Sequence, residues 1–343
     1  MQRRGWTVAV GAGLVAVLTW VVLWVDVPYV AYLPGPTVDA LRTDSGDSDG
    51  DEIVLVDGVI DTRSEGQFRM VTVSVIDRPR LVEALWYWIS DDYAVVPREF
   101  VYPPDKTEKE IASESKEQFA SSQVSAETAA LRELGCPVFV TVTGFTKNSP
   151  LTDDLREGDV LSRVDGKPVT SVDRLESLLG EEPWRKHTVS YLRDGRSGTV
   201  QVVRSEPSDK LLGLFLKQRQ PCRYDVKFDR DVQKIGGPSA GLIFALTIID
   251  KVRSVDLTGG RVIAGTGEMS DDGEIGAIGG VPQKLRAAKR DGAQVFLTPR
   301  ANCAEAVANN PGGLTLVSVT TLRGALDALE MMRGGREPPL CRA

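Results

Sequence analysis

Gly237-Pro238-Ser239-Ala240-Gly241 and, downstream, Gly279-Gly280-Val281-Pro282-Gln283-Lys284 are the stretches on which the reading of this chain turns. The first sets a serine hydroxyl between glycines, ahead of the apolar run Ala240–Val252, which has the pattern of a helix. The second places a lysine at the head of an Ala-rich helical stretch. A serine is a weak nucleophile until a neighbouring base takes its proton. The chain holds one histidine, His187, and none follows Ser239, so the Ser, Asp/Glu, His order of an α/β-hydrolase fails on inventory. A lysine kept neutral by burial is the remaining base. Ser239 and Lys284 are therefore the candidate nucleophile and base. Taken alone, Ser239 reads equally well as a helix N-cap and Lys284 as an exposed helix lysine. The glycines allow close approach of a substrate backbone, and free amides at a helix N-terminus can hold an oxyanion.

Around this pair, residues from about 208 to 340 alternate strand-like and helix-like segments. Leu211–Leu216 and Tyr224–Phe228 read as strands, as do Val262–Thr266 and Glu274–Ile278 around the turn Asp271-Asp272-Gly273. Helical patterns cover Val281–Asp291, Cys303–Ala308 and the C-terminus, with strands at Val295–Leu297 and Leu316–Val319 between them. The serine motif, Thr266-Gly267-Glu268 and Gly279-Gly280-x-x-x-Lys284-x-x-Ala287-Ala288 occur in order. Together they make this segment resemble the proteolytic domain of the Lon family. The resemblance implies a serine endopeptidase with a Ser239–Lys284 dyad, supported by Thr266, Gly237, Pro238, Ala240 and Gly241, with no metal and no cofactor. It also implies ring-like self-association. One position departs from the pattern: Gly236 stands where bacterial Lon carries an aspartate. Ser113-x-x-Lys116 matches a penicillin-binding-protein motif but lacks its companions. No Gly-x-x-x-x-Gly-Lys-Ser/Thr phosphate loop occurs, so proteolysis is expected to be independent of ATP and directed at unfolded or terminus-exposed proteins.

Residues 137–205 order their strands and one helix, Val172–Leu179, in a way that resembles a PDZ domain of the kind fused to bacterial envelope proteases. Such domains bind extended peptide ends by strand addition. The ligand loop is expected near Leu134–Val138, and His187 is expected on a surface connection.

The N-terminal region completes the plan. Trp6 to Val25 carries no charge, and twenty helical residues span ~30 Å, about one hydrocarbon core. Arg3 and Arg4 before it and Asp26 after it predict a cytoplasmic N-terminus and an uncleaved single-pass anchor. A signal peptide cleaved near residue 28 is the competing reading. Asp47-x-Asp49-x-Asp51 hints at a calcium loop, but Glu52 and Gly58 break the pattern. Ile53–Val59 and Phe68–Ile76 read as strands, Pro79–Ile89 as a short helix, and 102–122 as a polar connection leading into a helix through Leu134. Four cysteines, at 136, 222, 303 and 341, leave three full pairings open; one disulfide or buried free thiols is the expectation. A formal charge of −7 with no basic stripe excludes a broad nucleic-acid footprint. The whole reads as an α/β multidomain chain. Its parts are an anchor over 1–27, an extracytoplasmic region over 28–136, a PDZ-type module over 137–205 and a mixed α/β proteolytic domain over 206–343. The rival from another class is a non-catalytic scaffold that binds peptide ends at the membrane.

Overall fold

The computed structural model describes residues 2–342 apart from 43–52, 60–63, 91, 148, 181, 183, 204–210, 230–235 and 254; in the first helix it describes the side chains of 6, 9–20 and 22–24. The aspartate-rich run at 47–51 therefore lies outside the described residues. In chain order the elements begin with α1 (Gln2–Trp24), β1 (Tyr29–Asp39), β2 (Val54–Asp57), β3 (Gln67–Asp77), α2 (Leu81–Ile89), β4 (Ala94–Pro97) and α3 (Glu108–Glu133). A second group follows: β5 (Phe139–Phe145), β6 (Val160–Val164), β7 (Lys167–Pro168), α4 (Val172–Leu179), β8 (Lys186–Arg193), β9 (Arg196–Val203) and β10 (Leu214–Arg219). The last group is β11 (Asp225–Phe228), α5 (Gly241–Val252), β12 (Val262–Gly265), β13 (Glu268–Met269), β14 (Ile275–Gly276), α6 (Val281–Arg290), β15 (Val295–Pro299), α7 (Cys303–Ala308), β16 (Thr315–Val319) and α8 (Leu322–Arg333).

A six-stranded sheet in the order β16-β15-β12-β3-β1-β4 carries the half of the chain that holds Ser239 and Lys284. Its β3, β12, β15 and β16 run parallel to their neighbours, and β1 and β4 are added antiparallel. Successive side chains on a strand point to opposite faces, and both faces are covered here. Phe68, Met70, Ile263, Leu297 and Val317 enter one core with α5, α3 and α8. Val71, Ala264, Phe296 and Leu316 enter a second core under α6 and α7. α5 is apolar from Leu242 to Leu246, and its first ten residues, Thr247 and Asp250 among them, are buried, as expected of a helix lying in the centre of a domain.

This sheet corrects the boundary at 136. The region 28–136 is not a separate domain, because β1, β3 and β4 are half of this sheet. The pairing is non-local: Val262 sits beside Gln67 across some two hundred residues. The connection expected over 102–122 is also shorter than supposed. α3 starts at Glu108, capped by Thr107 and Glu110, which bond reciprocally to each other's backbone N–H. Its first half is Ser-, Glu- and Lys-rich, so no apolar stripe marks it until Phe119 turns inward.

The second sheet, β10-β5-β6-β8-β9 with β7 beside β6, packs on α4 around its own core of Val140, Leu161, Leu175 and Val189. β10 pairs with β5 through Arg219, so this unit closes at 219 and not at 205. Leu214–Arg219 replaces the strand expected at Leu211–Leu216. The stretch Leu134–Val138 forms the neck of the unit, where Cys136 is bonded to Cys222. A second disulfide joins Cys303 to Cys341 and holds the C-terminal tail along β16. Both correct the expectation of a single bridge or free thiols; sequence spacing carries no pairing information.

His187 is likewise corrected. It lies in β8, 1% exposed, with Nδ1 2.8 Å from Asp165 Oδ2. The polar Trp184-Arg185-Lys186 before it concealed the start of a strand whose alternate residues face the core. Val262–Gly265 belongs to the main sheet, and the turn at 271–273 instead joins β13 to β14. Among the described residues no helix is long and apolar enough to cross a membrane.

Candidate active site

The site forms where β12 ends. In a parallel sheet, segments leaving the carboxyl ends of strands open a crevice, and residues there are free to act. Thr266 is the first residue past β12, held by its N–H to Leu297 O at 3.2 Å. Its hydroxyl donates to Ser239 O at 3.1 Å, and Gly267 N–H donates to the same carbonyl at 2.9 Å. Two bonds thus fix the Ser239 backbone at the head of α5. Lys284 projects from the first turn of α6. Its Nζ lies 2.8 Å from Ser239 Oγ and 3.1 Å from Thr266 Oγ1. The three residues singled out in the sequence, 27 and 18 positions apart, are brought into one contact.

Electrostatics at Lys284 favour the neutral amine. The side chain is 4% exposed, and among the described residues no carboxylate forms an ion pair with it. Burial lowers its pKa from 10.5 to about 8. At Gly236, where bacterial Lon carries an aspartate, a Cβ would meet the Ser115 hydroxyl of α3, which would have to turn aside.

The supporting residues each have a local reason. Gly237 donates its N–H to Ser115 O at 3.0 Å, and Pro238 O accepts from Ser122 Oγ at 2.7 Å, so α3 grips the serine turn from behind. Ala240 is buried beneath it. Gly241 opens α5 against β13, where a Cβ would lie 2.7 Å from that of Met269. Gly280 takes φ +70°, and a Cβ there would lie 2.8 Å from Val73 Cγ2, so glycine lets the start of α6 sit close to β3.

Sequence reading missed three contributors. Ser115 and Ser122 lie on the helix taken for a connection. Asn302 clamps the other wall of the site: its Oδ1 accepts from Ile278 N–H and its Nδ2 donates to Ile278 O, both at 2.9 Å. No local motif marks these residues, because each acts across a long stretch of chain.

Ser239 and Lys284 open into a cleft of about 830 Å³, bounded by β3 from Met70 to Ser74 on one side and by 277–280 on the other. β3 runs past the end of β12, so its 71–74 stretch forms the cleft floor. Ser113 and Lys116 remain on α3 as helix residues, Ser113 bonded to Glu117. Among the described residues no group of His, Cys, Asp and Glu could hold a metal.

Residues 230–327 match the family described as the Lon protease (S16) C-terminal proteolytic domain. Similar proteins include Lon protease 2 of Bacillus subtilis (strain 168), 34% identical over 112 residues, covering 32% of this chain and 20% of that protein. Another is the Lon protease of Xanthomonas oryzae pv. oryzae, 32% identical over 145 residues, covering 41% of this chain and 17% of that protein. The chain thus spans about a fifth of the length of these relatives. Among solved structures, the PDZ domain of an SdrC-like protein from Listeria monocytogenes is similar at TM-score 0.21 and 16% identity, covering 22% of this chain and 85% of that one.

Proposed function

We propose that this chain is a membrane-anchored serine endopeptidase, independent of ATP, that cleaves unfolded or terminus-exposed proteins outside the cytoplasm. The observation that carries the reading is the contact between Ser239 Oγ and a buried Lys284 Nζ that has no counter-charge among the described residues. Once neutral, Nζ accepts the hydroxyl proton as Oγ attacks the substrate carbonyl. The oxyanion then sits at the head of α5, where first-turn amides lack intrahelical acceptors and the helix end adds partial positive charge. Protonated Lys284 delivers its proton to the leaving amine, and the acyl group is released by water activated in the same way. Thr266 takes no proton; it steers Nζ and holds Ser239 O. An extended substrate lies along the 71–74 stretch of β3.

The inserted unit over 137–219 is read as a PDZ-type module that selects substrates. Its support is its own topology: β10 is an edge strand with α4 packed beside it, the arrangement that accepts a peptide by strand addition. Outside the cytoplasm is supported by two disulfides and no free cysteine, which oxidising compartments favour. Self-association into a ring stays part of the proposal by resemblance. Labelling by a peptide boronate or phosphonate tests the reading. The probe is expected on Ser239 and absent from Ser239→Ala; labelling elsewhere, or none on a folded wild type, refutes it.

A further inference from the structure

The helix α2 is turned inside out. An ordinary surface helix faces its apolar stripe to the core. Here Val82, Leu85, Trp86 and Ile89, spaced i, i+3, i+4, i+7, point away from the protein, and Ala84 is the buried residue. Trp86 is 67% exposed, Trp88 76% and Ile89 78%; Phe100 nearby is 81% exposed. The helix's one charged residue, Glu83, is tied to its own N-terminus through Arg80 N–H at 2.9 Å. Among the described residues nothing covers this face.

Its position says what does. α2 packs against the C-terminal end of α1. Leu81 N–H donates to Val25 O at 2.9 Å, Val27 N–H to Pro79 O at 3.0 Å, and the Arg80 guanidinium sits over the Trp24 ring. Exposed Trp24 and Val25 at the end of α1 therefore adjoin the first turn of α2, where the outward stripe begins at Val82. Tryptophans concentrate at the depth of lipid headgroups, and short helices with one apolar face lie in that layer. We infer that α2 is an interfacial helix seated in the headgroup layer of the bilayer to which the proposed anchor, α1, holds the chain. The inference rests on the anchored reading above. It also fixes the catalytic half: β1 leaves this layer at Tyr29, and Tyr32, which lines the cleft, stands ~10 Å further along the strand.

The test uses the full chain with Trp6→Phe, Trp20→Phe, Trp24→Phe and Trp184→Phe, leaving Trp86 and Trp88 as the emitters, after peptide hydrolysis at the wild-type rate has shown it folded. In vesicles whose phosphatidylcholine is brominated near the head of its acyl chains, the emission is expected to lose most of its intensity, with little loss to aqueous iodide. Quenching by iodide and not by lipid would overturn the inference. So would quenching by neither, which would mean that a second copy or another protein covers the face. Flotation separates the two readings: a chain that fails to float with vesicles sinks the anchor and the inference together. A chain that floats with unquenched tryptophans sinks the inference alone.

Discussion

Lys284 is costly where it sits, and on the proposed reading that cost is its function. A fall from 10.5 to about 8 corresponds to roughly 3 kcal/mol of disfavoured charging. Because the folded form gives up its proton more readily than the unfolded one, that penalty is full below about pH 8 and fades as pH rises toward 10.5. Stability should therefore rise with pH through this window, and peptide hydrolysis should rise through about pH 8 with the slope of one proton. Lys284→Met removes the buried charge at similar volume. We expect it to be inactive yet no less stable than wild type at pH 7, with the stability rise gone; thermal unfolding across pH 7 to 10 measures this. Such residues were legible in the sequence because each stands in a short motif whose neighbours, Gly237 or Gly280, are there for backbone reasons. His187 was not, since its burial depends on β8 pairing with β6 and β9 and on Asp165, none of it local.

At the scale of elements, the turn that carries Ser239 hangs on α3, a helix that adds no group to the Ser239–Lys284 contact. Ser122 donates to Pro238 O, and Gly237 donates to Ser115 O, so the serine turn is held from a helix more than a hundred residues earlier. Ser122→Ala leaves a partly buried carbonyl without its partner and is expected to cost about 1 kcal/mol. Its sharper signature is a fall in kcat with KM little changed, measured on an unstructured peptide, since the turn loosens and the binding cleft does not. Equal loss in KM would point to the cleft instead. The helices and strands around the motifs were legible from periodicity and turn residues. α3 was only half legible, because its N-terminal part packs little and carries no stripe, and the place of β1 and β3 in the catalytic sheet was invisible to any local pattern.

Across the whole molecule, the chain builds a catalytic body from two separated segments and inserts a second unit between α3 and β11. Cys136–Cys222 closes the neck of that insertion, across a separation of 86 residues. Loops of that size gain ~4–5 kcal/mol from cross-linking on a chain-entropy account. Under reductant, or in Cys136→Ser/Cys222→Ser, thermal unfolding should shift down, while hydrolysis of a short peptide at room temperature persists; an unchanged transition would show that the neck is held by packing alone. Gln218 donating to Asp271 Oδ2 at 3.2 Å seats the insertion against the β13–β14 turn, which Arg132 of α3 braces from the body through a 2.6 Å bond to the Asp271 carbonyl. The central claim is that Lys284 is the base for Ser239 and that no nucleotide is needed. It is met most directly by one rate: hydrolysis of an unfolded protein, without ATP, by folded Lys284→Arg beside wild type. An arginine keeps the charge and cannot lose its proton under ordinary conditions. The account predicts steady cleavage by wild type and a rate for Lys284→Arg as low as that of Ser239→Ala; substantial cleavage by Lys284→Arg, or a wild type silent until ATP is added, would contradict it.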